Sequence, residues 1–369
     1  GLTHAARFKL QLGIDYEFIV GDIRDERIVA DILGSAFKRS DSEVDVVCGG
    51  PPCQGFSVFG KRLEEDPRND LFRSYLHAVS KLSPKYFVME NVPGLVTMYG
   101  GKIPELIHDE VHRVLGGLYE VVGPLHVNSA HYGVPQYRER VLFVGWKKGL
   151  PPIYSFPATH ASKDYVSVKD AIEDLAFLRA WESSDAYPEV ASGSHPYQKE
   201  SRNGRLFKRL VHQSQPGLLA NHVAAKHSPD VIARFAMVEQ GKGWDSIPID
   251  LWERHLLTDK KWCIRLAEDR CSNTMTTLPD DFIHYRQHRI LTVREMARLQ
   301  SFDDTFVFYG PRATGGGGAG NKKRNSELPQ YSQVGNAVPP LMAKAIGMQI
   351  LLALEGASVA PASCNEAFQ

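Results

Sequence analysis

The chain has 369 residues, with 43 Lys plus Arg balanced by 43 Asp plus Glu, an apolar fraction of 43% and a charged fraction of 23%. That length predicts about two domains and that composition an ordinary globular protein, while the even charge excludes a molecule that is basic as a whole. No apolar run approaches the ~20 residues of a membrane span and no signal peptide opens the chain; five cysteines without a CxxC pair predict reduced thiols, no structural zinc, and a cytoplasmic or nuclear setting.

In chain order, the first predicted strand is Tyr16-Glu17-Phe18-Ile19-Val20, running into Gly21-Asp22-Ile23. An acidic residue after a strand either accepts hydrogen bonds from a nucleotide-like ligand or caps the helix expected over 24–37; the cap is the plainer reading. Val44-Asp45-Val46-Val47 then reads as a buried strand, and the chain turns through Gly49-Gly50-Pro51-Pro52 to deliver Cys53. In open α/β sheets the carboxyl ends of the strands are where ligands bind. A thiol raised there on a stiff turn, followed by the flexible Gly55, is a candidate nucleophile. A packing cysteine is the commoner fate of a lone Cys, but it leaves the Gly-Gly-Pro-Pro lead-in unexplained.

Leu71, Tyr75, Leu76, Val79 and Leu82 recur at helical spacing, and Tyr86-Phe87-Val88-Met89 reads as the next buried strand, ending in Glu90-Asn91-Val92-Pro93. A right-handed crossover would bring both strand tips to one edge of the sheet, with a thiol at one and a carboxylate at the other. Glu90 is therefore a candidate acid–base group, with plain rim charge as the alternative. A helix over 104–115 and a strand over 119–127 precede Gln136-Tyr137-Arg138-Glu139-Arg140. Alternation puts Gln136, Arg138 and Arg140 on one face of an extended segment. Two neighbouring arginines imply carboxylates, phosphate or a base edge, unless they are simply solvated.

From about residue 150 the sequence becomes proline-, aromatic- and then polar-rich without periodicity, which predicts a loop-rich second domain. Basic residues cluster at Lys199, Arg202, Arg205, Lys208 and Arg209, again at Arg286, His288, Arg289 and Arg294, and again at Lys322, Lys323 and Arg324. Glycines at 315–320 predict a mobile loop. Residues 291–299 follow a helical pattern, and Gln333-Val334-Gly335-Asn336-Ala337-Val338-Pro339-Pro340 leads into an apolar helix over 341–354 with prolines in its first turn.

Taken in order, PPCQGFS at 51–57, ENV at 90–92, QYRER at 136–140, LTVREMARLQSF at 291–302 and QVGNAVPP at 333–340 resemble the motif blocks of the cytosine-5 DNA methyltransferases, over about 21–356. The resemblance implies an α/β, Rossmann-like, doubly wound S-adenosylmethionine-dependent methyltransferase sheet with a smaller inserted target-recognition domain. Catalytic sequence would occupy 1–150, target recognition 151–285, and the return to the catalytic domain 286–369. Cys53 would add to carbon 6 of a flipped-out cytosine, making carbon 5 enamine-like enough to take a methyl group. A free thiol has a pKa of about 8.5, so the site must favour the thiolate. By the same resemblance Glu90 serves ring nitrogen 3, and Arg138 binds the ring carbonyl oxygen with Arg140 in support. Contacts to S-adenosylmethionine fall to Asp22, Ile23, Pro52, Leu71, Asn336 and Val338. The loop 55–64, with Lys61 and Arg62, resembles the family's mobile catalytic loop. Implied partners are double-stranded DNA and a cognate restriction endonuclease system, with no metal and a monomeric working form.

The family's opening block, a strand with a glycine-rich turn and a following acid, has no counterpart here, and the chain opens on Gly1. A truncated version of an active enzyme is therefore expected. A non-catalytic DNA-binding homologue that lost that block is one alternative. A tRNA-directed relative is another, less well matched because no cysteine-phenylalanine-threonine block is present.

Overall fold

The computed structural model describes residues 2–14, 16–38, 43–52, 69–188, 195–204, 218–248, 250–251, 260, 262–313 and 328–356. Cys53, the loop 55–64, Arg205, Lys208, Arg209, the glycine tract and the cluster at 322–324 lie outside the described residues. The chain falls into two units, each assembled from separate stretches: one from 17–128, 139–158 and 344–369, the other from 1–16, 129–138 and 159–343.

The first of these is built on a four-stranded sheet of order β1-β2-β4-β3, with β1 at Val46–Gly49, β2 at Tyr86–Asn91, β3 at Tyr119–Asn128 and β4 at Glu139–Lys147. β1 and β2 are parallel, with Cys48 opposite Val88 and Gly49 opposite Met89. Parallel neighbours need a crossover, and helix α2 (Asn69–Leu82) lies in it, after α1 (Glu26–Lys38). Helix α3 (Ile103–Leu115) precedes β3. Phe72, Leu76 and Val79 of α2 and Ile103, Ile107 and Val111 of α3 fall at three- and four-residue spacing, so each helix turns one apolar stripe inward. They share a core with Phe87 and Met89 of β2 and Val141 and Phe143 of β4. Tyr86, Val88, Leu142 and Val144, which alternate with those residues, are buried too. Burial on both faces is why the two strands read as unbroken apolar runs.

Two details differ from the pattern. The buried stripe of α2 runs through Phe72 rather than Leu71, which is half-buried. Residues 16–20 form no strand, and Phe18 and Val20 are exposed. β propensity holds an extended segment only where it finds a ladder partner. The turn before α1 is fastened by two aspartates: the Arg24 N–H donates to Asp22 and the Arg27 N–H to Asp25, each at 3.0 Å. Asp25, not Asp22, sits at the helix boundary.

The other unit contains α4 (Val168–Ile172), α5 (Pro196–Arg202), α6 (Pro229–Met237), α7 (Val293–Leu299) and α8 (Gln330–Asn336), with a short parallel pair β5 (Ile264–Arg265) and β6 (Phe282–Ile283). The final helix α9 (Pro340–Leu354) begins in this unit and continues into the first. Every residue of α7 is buried, including Arg294, Glu295 and Arg298. The helix starts in a capping box in which Thr292 and Glu295 satisfy each other's backbone N–H. Arg298 meets Asp174 and Asp304, each at 2.5 Å, and Arg289 grips both oxygens of Glu295 at 2.7 Å. Removing one partner from a buried pair of this kind costs about 3–5 kcal/mol, because the other charge is stranded. The resemblance divides 151–285 from 286–369; α7 ties the two stretches together through Asp174, Ala220 and Tyr197. No single helix among the described residues is long and apolar enough to cross a membrane.

Candidate active site

The informative geometry in the sheet-containing unit lies at the carboxyl tips of β1 and β2. Beyond β1 the chain leaves the ladder through Gly50, Pro51 and Pro52. The buried Tyr75 of α2 reaches up under this edge, its hydroxyl donating to the Val88 carbonyl at 2.9 Å. Gly50 passes so close to β2 that a Cβ there would lie 3.2 Å from Glu90 Oε2. One position on, Asn91 donates its side-chain amide to the Pro51 carbonyl at 3.0 Å and accepts the Val92 N–H at 3.0 Å.

Glu90 is held from the other side by Arg140. β4 runs antiparallel to β2 with Val141 opposite Asn91, so Arg140 comes level with the tip of β2. Its Nε stands 2.6 Å from Glu90 Oε1, with the side chains 11% and 24% exposed. That leaves the pair partly shielded yet open to a ligand, where a charge-assisted hydrogen bond is strong and directional. Cys53 follows Pro52 directly in sequence but lies outside the described residues.

Arg138 occupies a different setting, in the other unit. It is buried, and its guanidinium donates to the carbonyls of Met275 at 3.2 Å and Gly335 at 3.0 Å. Gln136 beside it donates to the Leu299 carbonyl and accepts from the Met275 N–H. Gly335 packs so tightly that a Cβ would fall 2.2 Å from the Thr276 carbonyl oxygen, so no larger residue fits without moving backbone. Gln136, Arg138 and Gly335 thus lock the 275–276 and 334–335 segments together, immediately before the exposed Asn336 and the half-buried Val338. The alternation expected through 136–140 is present in burial, with Gln136, Arg138 and Arg140 turned inward between the exposed Tyr137 and Glu139, although β4 begins only at Glu139.

Of the other sequence candidates, Asp22 is exposed, and hydrogen bonds from Arg24 hold its carboxyl down to about 2. Ile23 and Leu71 are half-buried and Pro52 is exposed. The basic cluster at 286–294 is divided: Arg286 and His288 are exposed, whereas Arg289 and Arg294 are wholly buried, and Arg294 donates to the carbonyls of Ala220, Asp303 and Phe306. Arg202 is likewise engaged, by Asp174 and over the Tyr187 ring. No group of His, Cys, Asp and Glu able to hold a metal ion occurs among the described residues. Asn91 and Tyr75 were given no role by the sequence. The available signal was an amide ending a strand beside a proline turn, whose residues have carbonyls but no N–H to pair.

A family model described as C-5 cytosine-specific DNA methylase matches residues 5–352. The chain is 33% identical over 325 residues to the Type II methyltransferase M.DdeI of Desulfomicrobium norvegicum, covering 85% of this chain and 74% of that protein. It is 36% identical over 312 residues to the Type II methyltransferase M1.HphI of Haemophilus parahaemolyticus, covering 84% and 68%. Among solved structures it resembles a chain from E. coli described as a DNA modification methyltransferase encoded within a prophage. That likeness has a TM-score of 0.68 and 26% identity, covering 96% of this chain and 89% of that one.

Proposed function

The chain belongs to the C-5 cytosine-specific DNA methylase family, and we propose that Cys53, Glu90 and Arg140 carry its chemistry. Its reaction is methylation of cytosine at carbon 5 in DNA, and its fold is the Rossmann-like methyltransferase fold. The family implies S-adenosylmethionine as donor, whose sulfonium supplies an electrophilic methyl group. The Cys53 thiolate adds to carbon 6, and the electron pair this releases makes carbon 5 nucleophilic. The Glu90 carboxyl donates a proton to ring nitrogen 3 and so neutralises the negative charge that builds there during addition. Arg140 orients that carboxyl and offers its remaining N–H groups to the ring carbonyl oxygen. After methyl transfer a base removes the carbon 5 proton, the sulfur–carbon bond breaks, and Cys53 is regenerated.

The observation that carries this reading is the 2.6 Å contact between Glu90 and Arg140 beside the turn that leads to Cys53. It favours Arg140 over Arg138 for the base contact, since both terminal nitrogens of Arg138 already serve main-chain carbonyls. Arg138 then serves within its own unit, steadying the segment that leads into Asn336 and Val338. The residues assigned to S-adenosylmethionine suit it chemically. Asp22 is an ionised acceptor for the adenine amine, Ile23, Pro52 and Leu71 offer apolar surface, and the Asn336 amide is open to solvent. Residues 151–285 choose the DNA target, and the chain is the modification partner of a restriction system, as its Type II relatives suggest.

The decisive test is a covalent trap. Long duplex DNA made with 5-fluorocytosine, mixed with the protein and S-adenosylmethionine, should yield a denaturation-resistant protein–DNA adduct, because fluorine cannot leave as a proton does. The adduct should need both the donor and Cys53, and vanish in Cys53→Ala. Turnover on ordinary DNA without any trapped adduct would overturn the covalent reading.

A further inference from the structure

We infer that Asn91 is a positioning residue for the nucleophile, gripping the turn ahead of Cys53 and keeping it in step with Glu90. The inference rests on the reading of Cys53 given above. β1 ends at Gly49, so the turn beyond it has no ladder to hold it. Pro51 and Pro52 carry no N–H, which leaves their carbonyls as the only main-chain groups through which they can be fastened. The Asn91 amide takes the Pro51 carbonyl at 3.0 Å, and Pro51 is buried. Both ends of the amide are used, since its oxygen accepts the Val92 N–H. That fixes which end faces Pro51.

Asn91 is itself anchored, lying in β2 opposite Val141 of β4. Neighbouring residues of a strand point to opposite faces. At this tip Glu90 abuts Gly50 while Asn91 holds Pro51, so two consecutive strand residues engage two consecutive turn residues. From Pro51 only Pro52, with its ring-locked φ, intervenes before Cys53. A displacement of the Pro51 carbonyl is therefore passed on to the nucleophile with little slack. Misplacing a reacting atom by 1 Å can cost about 100-fold in rate.

The test compares Asn91→Asp, Asn91→Ala and Cys53→Ala with the wild-type full chain. Single-turnover methyl transfer to unmethylated phage DNA is measured at saturating DNA and S-adenosylmethionine, alongside DNA binding, the KM for S-adenosylmethionine and thermal unfolding. Asn91→Asp is nearly isosteric and keeps the acceptor for Val92, but it presents a carboxylate oxygen to the Pro51 carbonyl. Both Asn91 variants should lose about 10- to 100-fold in the single-turnover rate. DNA binding and KM should stay within about threefold, a split that a general loosening of the fold would not give. Wild-type speed in Asn91→Asp, with Cys53→Ala inactive, would overturn the inference and leave the nucleophile assignment standing. Weakened binding that tracks a fallen melting temperature, with the saturated rate unchanged, would also overturn it. Methyl transfer that survives Cys53→Ala would remove both.

Discussion

Replacing Arg138 and Arg140 in turn should separate a loss of stability from a loss of activity. Arg138→Ala strips donors from the buried carbonyls of Met275 and Gly335. An unsatisfied buried carbonyl costs about 1–3 kcal/mol, so urea unfolding should show a loss of about 2–5 kcal/mol. Arg140→Ala leaves no such orphans in the core. It should unfold near the wild-type midpoint yet transfer methyl groups about 100-fold more slowly, the usual consequence of removing one aimed donor. The reverse pattern would return the base contact to Arg138. Glu90 was legible in the sequence because a carboxylate ends an apolar run. The division of labour between the two arginines was not, because strand alternation treats them alike. It is set by where β4 starts and by its register against β2, which the local pattern does not contain.

At the scale of elements, α7 and its surroundings make stability depend on pH. His222 bonds Thr292 at the start of the helix, and His284 stands 3.5 Å from Glu295. Burial is the main cause that lowers His222 to about 4 and His284 to about 3, from 6.5. In the unfolded chain both imidazoles take up protons below about pH 6.5, while the folded chain resists until much lower. The resulting stability is complete above that pH and drains away as pH falls towards 4. The shifts correspond to something on the order of 3 kcal/mol for His222 and about 5 kcal/mol for His284. Chemical denaturation followed from pH 7.5 to 4 should show the midpoint dropping across this window, with a shallower drop in His222→Gln. The same helix shows why part of the fold was hidden. The local sequence gives no sign that Arg294 and Arg298 are buried, because Asp174, which neutralises Arg298, lies 124 residues away. Periodicity locates an element; it does not reveal which distant carboxylate will come to meet it. For the same reason α2, α3 and β2 were legible from spacing alone, whereas 16–20 lacked the partner that a strand needs.

For the whole molecule, the chain changes unit after residues 16, 128, 138, 158 and 343. A single cut therefore cannot release either unit whole. Limited proteolysis that nicks the chain once should leave fragments that co-elute on size exclusion and part only in denaturant. Early release of a stable fragment from one cut would contradict the division. The even charge of the chain gives it no global attraction to DNA. Much of its apparent local basicity is internal, in Arg289, Arg294 and Arg298.

The crossing after residue 138 falls inside the QYRER block, so Arg138 belongs to one unit and Arg140, two residues later, to the other. In evolutionary terms, this short stretch answers to two masters. A lengthening or shortening by one residue between them would dislodge a buried guanidinium, a carboxylate's partner, or both. A substitution at either arginine harms one unit's partner alone, whereas a change in length disturbs both at once. The spacing between Arg138 and Arg140 should therefore stay frozen.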